Sequence, residues 1–366
     1  MIRQRLTPCL LMLLLCAFVV GSARAASAQT QSPLTSEEFL QLVRQLPKNP
    51  GLKAQLVEAL RERGIGFPVT SGLRSVLATK SGNDADLRRA LEEAERRRLN
   101  PASAALPSEA EAEEVLAKAR EAARAATEQM PDFVVKQVIS RAEAAGTTRN
   151  WKTTDRLVVA VSFRAAGGEQ YRLLAVNGIP SGASPQEAST YEQAGGSTST
   201  GEFVSILAAL FLDETQAKFK PAGTDTLGDR RTLVYEFAVE HANSRHVIST
   251  TGAQPITTAY RGRVWVDREN FRVLRLETEA VDIPVGYPIR GARRTIDYGW
   301  VTINERPYLL PAHSVVELTG LERGELVQSR NDIRFRNYQK YGTEVKIIEE
   351  DIIDEEPPPE KKKPQE

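Results

Sequence analysis

The sequence predicts an α+β protein in which a small all-α module precedes a large antiparallel β-sheet. Two observations carry this prediction. Apolar residues recur with helical spacing up to about residue 129, and with a period of two from Met130 to about Ile348. The segments with period two follow one another without long helical crossovers, so neighbouring strands should run antiparallel.

The first 28 residues have the pattern of a secretory signal peptide. Basic residues precede an unbroken apolar run, Leu10 to Val20, and cleavage is expected near Ala25 or Ala28. This run is shorter than the roughly 20 residues that span a bilayer, and no later segment approaches that length. A lipid anchor at Cys16 is the alternative, although a bulky leucine precedes that cysteine. The sequence therefore predicts a periplasmic or secreted protein without a transmembrane segment in the mature chain.

The composition argues against disulfide bonds and against a nucleic-acid partner. Both cysteines, Cys9 and Cys16, lie in the predicted signal peptide, so the mature chain has no disulfide and needs a hydrophobic core. Without the three arginines of the signal peptide, 45 basic residues face 48 acidic ones. Because nucleic-acid binding usually requires a concentrated positive field, no nucleic-acid partner is expected.

Residues 34–98 are predicted to form four short helices that pack together. Thr35 and Glu38 have the spacing of a capping box, and Leu34 can staple to Phe39. The other three helices are expected from Asn49-Pro50 to Gly64, Thr70 to Lys80, and Asn83 to Arg98. Such a module could bind a protein partner, or it could be a solubilising bundle without one.

A linker, residues 99–107, separates this module from the rest of the chain. Ser108 then caps a connecting helix, residues 108–129, which is rich in Ala and Glu and is expected to lie on a surface. Residues 130–348 form the predicted β domain. The charged, proline-containing tail, residues 349–366, is expected to be disordered.

Eleven segments of the β domain are predicted as strands from their alternating pattern and the turn residues between them. They are Phe133 to Ala142, Arg156 to Arg164, Glu169 to Val176, Arg231 to Glu240, His246 to Thr251, Ala259 to Val266, Phe271 to Val281, Arg293 to Ile303, Tyr308 to Leu318, Glu325 to Tyr338 and Thr343 to Glu349.

One apolar helix, Gly201 to Phe211, interrupts these strands. Its large apolar residues share one face: Phe203, Ile206, Leu207, Leu210 and Phe211. Burying five such side chains contributes roughly 7–15 kcal/mol as an upper bound. The helix should therefore lie against an apolar surface of the sheet.

Three motifs carry a resemblance to a known family. They are PDFVVKQVISR, the hairpin YRGRVWVDRENFRVLRLE (Tyr260 to Glu277), and ARRTIDYGWVTINERPYLLP (Ala292 to Pro311). With the strand count and the lone apolar helix, they resemble the half-barrel domain of the periplasmic lipoprotein-carrier group, the LolA/LolB-like fold, over about 60% of the chain. Some uncharacterised secreted proteins of soil bacteria in this group look similar. The resemblance implies a curved antiparallel half-barrel of about eleven strands that wraps internal helices and an apolar cavity.

The candidate ligand-binding residues are the apolar side chains expected to line this cavity or its lid. They are Leu157, Val159, Val161, Phe163, Phe203, Ile206, Leu207, Leu210, Phe211, Val264 and Val266. The helix Phe203 to Phe211 would be the lid, with the loop Gly195 to Gly201 as its hinge. The arginines of the hairpin alternate with acidic residues. They could form cross-strand ion pairs on a solvated face, or a basic rim for phosphate head groups.

No pattern indicates an enzyme. The sequence has no G-x-S-x-G, HExxH or P-loop motif, and the three histidines His241, His246 and His313 lack the cysteine partners of common zinc sites. We therefore expect no cofactor, no metal and no catalytic residue, with an unrecognised hydrolase as a remaining alternative.

Two functional hypotheses follow from these patterns. The first is a non-enzymatic binding protein that shelters a lipid or lipoprotein acyl chain in the half-barrel. The second is a cell-envelope interaction or sensing scaffold without a lipid ligand, in which residues 34–98 bind a protein partner.

Overall fold

The computed structural model describes residues 32–101, 105–181, 191–198, 200–203, 205–250 and 252–342. The described residues from Pro33 onward belong to one compact unit. The predicted signal peptide, the last predicted strand (Thr343 to Glu349) and the predicted tail lie outside the described residues. No helix in the described part of the chain combines the length and the apolar character needed to cross a bilayer.

The described α-helices fall into two groups along the chain. Four of them come first: α1 (Ser36–Gln45), α2 (Leu52–Arg63), α3 (Ser71–Ser81) and α4 (Ala85–Leu99). The other two are α5 (Glu109–Glu128), which precedes the strands, and α6 (Ser205–Phe211), which lies between strands.

Thirteen strands are described. They are β1 (Phe133–Ala145), β2 (Lys152–Arg164), β3 (Gly168–Val176), β4 (Ile179–Pro180), β5 (Lys218–Leu227), β6 (Arg230–Val239), β7 (Val247–Thr250), β8 (Ala253–Thr257), β9 (Ala259–Asp267), β10 (Val273–Val281), β11 (Ile289–Ile303), β12 (Arg306–Glu322) and β13 (Glu325–Lys340).

Eleven of these strands form one antiparallel sheet in the order β4-β3-β2-β1-β13-β12-β11-β10-β9-β6-β5. The pairing of β1 with β13 joins the beginning and the end of the domain in the middle of the sheet. The sheet is open, because its edge strands β4 and β5 do not pair with each other in the described part of the chain. This confirms the predicted α+β class and the predicted sheet of about eleven antiparallel strands.

The strands that form the main sheet are not all the predicted ones. The segment predicted from His246 to Thr251 forms β7, which pairs only with β8 in a separate two-stranded ribbon. The edge strands β4 and β5 have no counterpart in the prediction. In β5, Pro221 and Gly223 flank a register shift and interrupt the alternating pattern, and such residues are tolerated at an edge.

Short-range polar contacts begin the helices where the sequence predicts. At α1, the Glu38 backbone N–H donates to the Thr35 hydroxyl (3.2 Å), and the Thr35 N–H donates to the Glu38 carboxylate (2.8 Å). The same device recurs at α5, where the Ser108 hydroxyl accepts from the Glu111 N–H. Helix α2 begins two residues later than predicted, because Pro50 lies in the preceding turn.

The sheet has two chemically different faces. Helices α5 and α6 lie on the apolar face, which carries most of the large buried side chains of the strands. Helices α1 to α4 have a core of their own and are joined to the other, charged face by ion pairs. In β9, for example, Val264 and Val266 lie in the apolar core, whereas Arg263 and Trp265 point to the charged face.

The charged side chains of the hairpin Tyr260 to Glu277 form ion pairs with the helical module. The Arg263 guanidinium lies 3.8 Å from Glu93 of α4, and Arg61 of α2 donates to Glu277 (2.9 Å). Cross-strand ion pairs are also present, as between Arg275 and Asp297. The charged face is therefore only partly solvated, because α2 and α4 cover it.

Candidate functional site

The predicted cavity residues all lie on the apolar face of the sheet, but in two separate clusters. The first cluster lies between the sheet and helices α5 and α6, and it contains Ile206, Leu207, Leu210, Phe211, Val264 and Val266. The second cluster lies over β1, β2 and β13, and it contains Leu157, Val159, Val161, Phe163 and Phe203.

The predicted apolar helix is shorter than expected, and this divides its apolar stripe. Helix α6 begins at Ser205, so Phe203 precedes it. The Phe203 ring packs against Phe133 and Phe335 in the second cluster, with ring centroids 5.4 and 5.2 Å apart. Leu210 and Phe211 are buried in the first cluster instead. The prediction that these side chains share one helical face is therefore wrong for Phe203.

The described part of the predicted hinge, Gly195 to Gly201, is hydrogen-bonded to the sheet. The Ser197 hydroxyl donates to the Asn331 side chain (3.0 Å), whose amide donates back to the Ser197 carbonyl (2.9 Å). The Gly201 N–H donates to the Tyr171 hydroxyl (3.1 Å). These bonds attach the segment to the sheet at Ser197 and at Gly201.

The protein's own side chains cover the central strand positions of both clusters. Leu157, Val159 and Val161 of β2 have no exposed surface, and the same holds for Val264 and Val266 of β9. These five residues are core residues, and any space for a ligand lies beside them.

Helix α5 covers the first cluster with small side chains. Its buried positions are three or four residues apart and are mostly alanine: Ala112, Val115, Ala119 and Ala123. The expectation that this connecting helix lies on a surface is therefore correct for one side only. The helical spacing of these residues in the sequence indicates a buried side. This pattern is weak, because alanine is only slightly hydrophobic.

Three polar contacts hold α5 against the sheet. The Tyr235 hydroxyl donates to the Ala112 carbonyl (2.8 Å), and the Arg272 guanidinium donates to the Ala122 carbonyl (2.5 Å). Arg268 forms an ion pair with Glu111 at the beginning of the helix.

An apolar groove of about 110 Å³ remains between α5, α6 and strands β10 to β12. We call it the α5 groove. Its walls are mainly apolar side chains, with few polar ones: Ala119, Ala122, Ala123, Ala126, Gln129, Met130, Leu207, Arg272, Val273, Tyr298, Trp300, Pro307, Tyr308, Leu309 and Leu310. Leu207 is the one predicted site residue among those that line it.

Two aromatic residues of β11, Tyr298 and Trp300, line the α5 groove. Trp300 is 55% exposed, which is unusual for so large an apolar side chain. The Tyr298 hydroxyl is buried and has no hydrogen-bond partner among the described residues. Burial raises the pKa of Tyr298 above its usual value, so the phenol stays protonated and can donate a hydrogen bond.

The α5 groove is small in this conformation. Sites for small molecules usually measure about 300–1,000 Å³, whereas an apolar cavity of about 150 Å³ can accept benzene. The space beside α5 therefore suits a short apolar segment. A longer ligand requires α5 to move away from the sheet.

Two of the three histidines have strongly shifted pKa values. His313 lies on the charged face, where its Nε2 is 2.8 Å from Asp332 and its Nδ1 is 3.7 Å from Asp297. Burial lowers the pKa of His313, but the two carboxylates outweigh this effect and raise it to about 9. In His246, burial and the nearby Arg294 charge lower the pKa to about 4. No group of three or more potential metal ligands occurs among the described residues.

Two solved structures are similar to this chain. A LolA superfamily protein from Nitrosomonas europaea has 16% identity and a TM-score of 0.27, covering 63% of this chain and 94% of its own. A DUF1329 family protein from Desulfovibrio piger has 9% identity and a TM-score of 0.28, covering 63% of this chain and 95% of its own. No family model and no curated protein matches the sequence. A LolA superfamily protein is thus among the similar structures, as the sequence resemblance predicts, but at this level of similarity neither match indicates a ligand or an activity.

Proposed function

We propose that the chain is a non-enzymatic binding protein of the periplasm or the cell exterior, which holds the acyl chain of a lipid or lipoprotein in the α5 groove. The observation that carries the proposal is the groove itself, whose walls are apolar and whose cover is a helix faced with alanine. Each methylene group buried there contributes about 0.8 kcal/mol to binding.

The Tyr298 hydroxyl gives this proposal a chemical preference. A buried donor without a partner is unfavourable by about 1–3 kcal/mol, and an acceptor on the ligand removes this penalty. An acyl ester brings such an acceptor, its carbonyl oxygen, at the end of an apolar chain. The proposed ligand is therefore an ester-linked acyl chain rather than a pure hydrocarbon.

The proposal assigns the role of lid to α5 and not to α6. Alanine side chains bury little area, so moving α5 outward costs less than moving a helix faced with leucine. The predicted lid residues Leu210 and Phe211 are buried in the first cluster and are not among the residues that line the groove.

The test is native mass spectrometry with lipid extraction on the full mature chain purified from a bacterial periplasm. Ala126→Leu places a larger side chain into the groove, and Ala117→Leu makes the same change on the exposed side of α5. We expect a lipid adduct on the wild type and on Ala117→Leu, and a reduced adduct on Ala126→Leu. Equal adducts on both variants would place the lipid elsewhere.

The interaction scaffold remains the second candidate, because one observation favours it. Five of the six strand residues expected to line the cavity have no exposed surface, and the sixth, Phe163, is 8% exposed. A clean apo mass for the wild type, after gentle purification, would support a filled scaffold. Capture experiments with surface variants of α1 to α4 would then identify a protein partner.

A further inference from the structure

A second, larger groove of about 680 Å³ lies between helices α2 and α4 and the charged face of the sheet. We call it the arginine groove. Its volume is within the range of small-molecule sites. Basic side chains line it from both sides: Arg61 and Arg89 on the helices, and Lys220, Arg261, Arg263 and Arg293 on the strands.

Three of these arginines have buried N–H groups without a hydrogen-bond acceptor among the described residues. They are the Nε groups of Arg61 and Arg89, and both Nε and Nη1 of Arg263. The carboxylates nearest to Arg263 are those of Glu236 (3.6 Å) and Glu93 (3.8 Å), too far for hydrogen bonds. Each unpaired buried donor costs about 1–3 kcal/mol, so a ligand that supplies acceptors would be stabilising.

Acidic residues also line the arginine groove, but several are already neutralised. Glu277 accepts a hydrogen bond from Arg61 (2.9 Å). Glu279 accepts from both Arg261 (3.1 Å) and Arg293 (2.7 Å). Glu58, Asp86, Glu236 and Glu317 also line the groove, so binding of an anion depends on the unbonded N–H groups of Arg61, Arg89 and Arg263.

We propose that the arginine groove binds a phosphate-bearing anion of small-molecule size. Guanidinium groups match phosphate with pairs of parallel hydrogen bonds. The three arginines approach from two helices and one strand, and a tetrahedral phosphate offers acceptors in several directions, whereas a carboxylate offers them in one plane. Binding requires these guanidinium groups to rotate, because their unbonded N–H groups are buried in this conformation.

This site is independent of the proposed acyl-chain site. The arginine groove is on the charged face and the α5 groove is on the apolar face, so the sheet separates them. One lipid cannot occupy both grooves. The phosphate could still come from a free metabolite or from the head group of a second lipid.

The test is isothermal titration of the full mature chain with inorganic pyrophosphate at low ionic strength. We expect saturable binding that Arg263→Gln weakens at least about 10-fold, the loss of one charge-assisted contact. Lys220→Gln, an exposed change at the sheet edge, should weaken it about 2-fold to 3-fold. Arg306→Gln is the matched control, because Arg306 is exposed outside the groove, and it should bind as the wild type does.

The probes distinguish the possible sources of phosphate. Binding of pyrophosphate without binding to phosphatidic acid vesicles indicates a free phosphate compound, and binding to these vesicles but not to phosphatidylcholine vesicles indicates a head group. Absence of saturable binding to either probe overturns the proposal. Equal affinity for citrate and pyrophosphate overturns the phosphate preference. Equal affinities of Arg263→Gln and Arg306→Gln overturn the location, provided that circular dichroism shows both variants folded.

Discussion

Gly262 in β9 is the position where the structure makes its sharpest stability prediction. A Cβ atom added there would lie 1.8 Å from the Glu277 carbonyl oxygen and 2.7 Å from the Phe237 ring. It would have to recede by about 1.2 Å to reach 3.0 Å, below which real Cβ contacts essentially do not occur. The obstacle is backbone on one side and a buried ring on the other, so no side-chain rotation relieves it.

The expected cost of Gly262→Ala follows from what has to move. Separating β9 from β10 near the pair Gly262 and Thr278 weakens one or two ladder hydrogen bonds, at about 1 kcal/mol each. Displacing Phe237 strains its packing with Phe219 and Tyr260, and overpacking of this kind costs about 1–3 kcal/mol. We expect a total loss of about 2–5 kcal/mol.

Urea unfolding of a graded glycine series measures this effect. At Gly291 an added Cβ meets only Thr319 at 3.8 Å, so Gly291→Ala should be neutral or stabilising by about 0.4–1 kcal/mol. At Gly299 the nearest atom is the Ala312 Cβ at 3.1 Å, and an intermediate effect is expected. With a slope of roughly 3 kcal/mol per molar urea, Gly262→Ala should lower the midpoint by about 1 M. Coincident midpoints for Gly262→Ala and Gly291→Ala, at equal slopes, would show that β9 and β10 do not approach so closely.

Three further predictions concern the buried ion pairs of the sheet and the mobility of its helices. Asp225→Ala should lower the free energy of unfolding, measured in urea, by about 3 kcal/mol. The buried Asp225 carboxylate accepts hydrogen bonds from Arg96 (2.8 Å) and from the Trp265 indole (3.1 Å). A loss below about 1 kcal/mol would contradict this pairing. Because the pKa of His313 is raised to about 9 from 6.5, its charge should stabilise the fold fully below pH 6.5 and progressively less as the pH rises through 9. Comparison with His313→Asn should show a difference of about 1–2 kcal/mol at pH 6, after solvent screening, that shrinks by pH 9.5; a constant difference would argue against the ion pair. Hydrogen exchange should be faster for α5 than for α4, and the reverse order would argue against α5 as a lid.

The sequence predicts the fold well wherever a local signal decides the structure. The capping residues Thr35 and Ser108 specify their helices through one side chain and a backbone N–H three residues on. The alternation in β9 and β10 likewise specifies which residues face the core. The edge strand β5 was missed because Pro221 and Gly223 interrupt its alternation, and at an edge this interruption has little energetic consequence.

The candidate site was harder to predict, because it depends on which element covers which part of the sheet. A strand pattern shows that Leu157 and Val264 face a core, but it does not show what fills the space above them. The alanine face of α5 has too little hydrophobicity to stand out in the sequence, although it forms one wall of the groove. The arginine groove was equally hidden, because it requires the helical module to be placed on the charged face.

The two helical covers of the sheet are held by different kinds of contact, and this difference supports the roles proposed for them. Helices α1 to α4 are fixed by ion pairs with buried members, such as Arg96 with Asp225, whose side chain is 1% exposed. Separating such a pair leaves a buried charge and costs about 3–5 kcal/mol. Helix α5 is held mainly by alanine contacts and by hydrogen bonds to its backbone, from Tyr235 and Arg272, and its ion pair to the sheet, between Glu111 and Arg268, is partly exposed. Water can replace those backbone bonds when the helix moves, at a net cost of about 1 kcal/mol each. We therefore expect the cover of the apolar face to open more readily than the cover of the charged face, which supports α5 as the proposed lid.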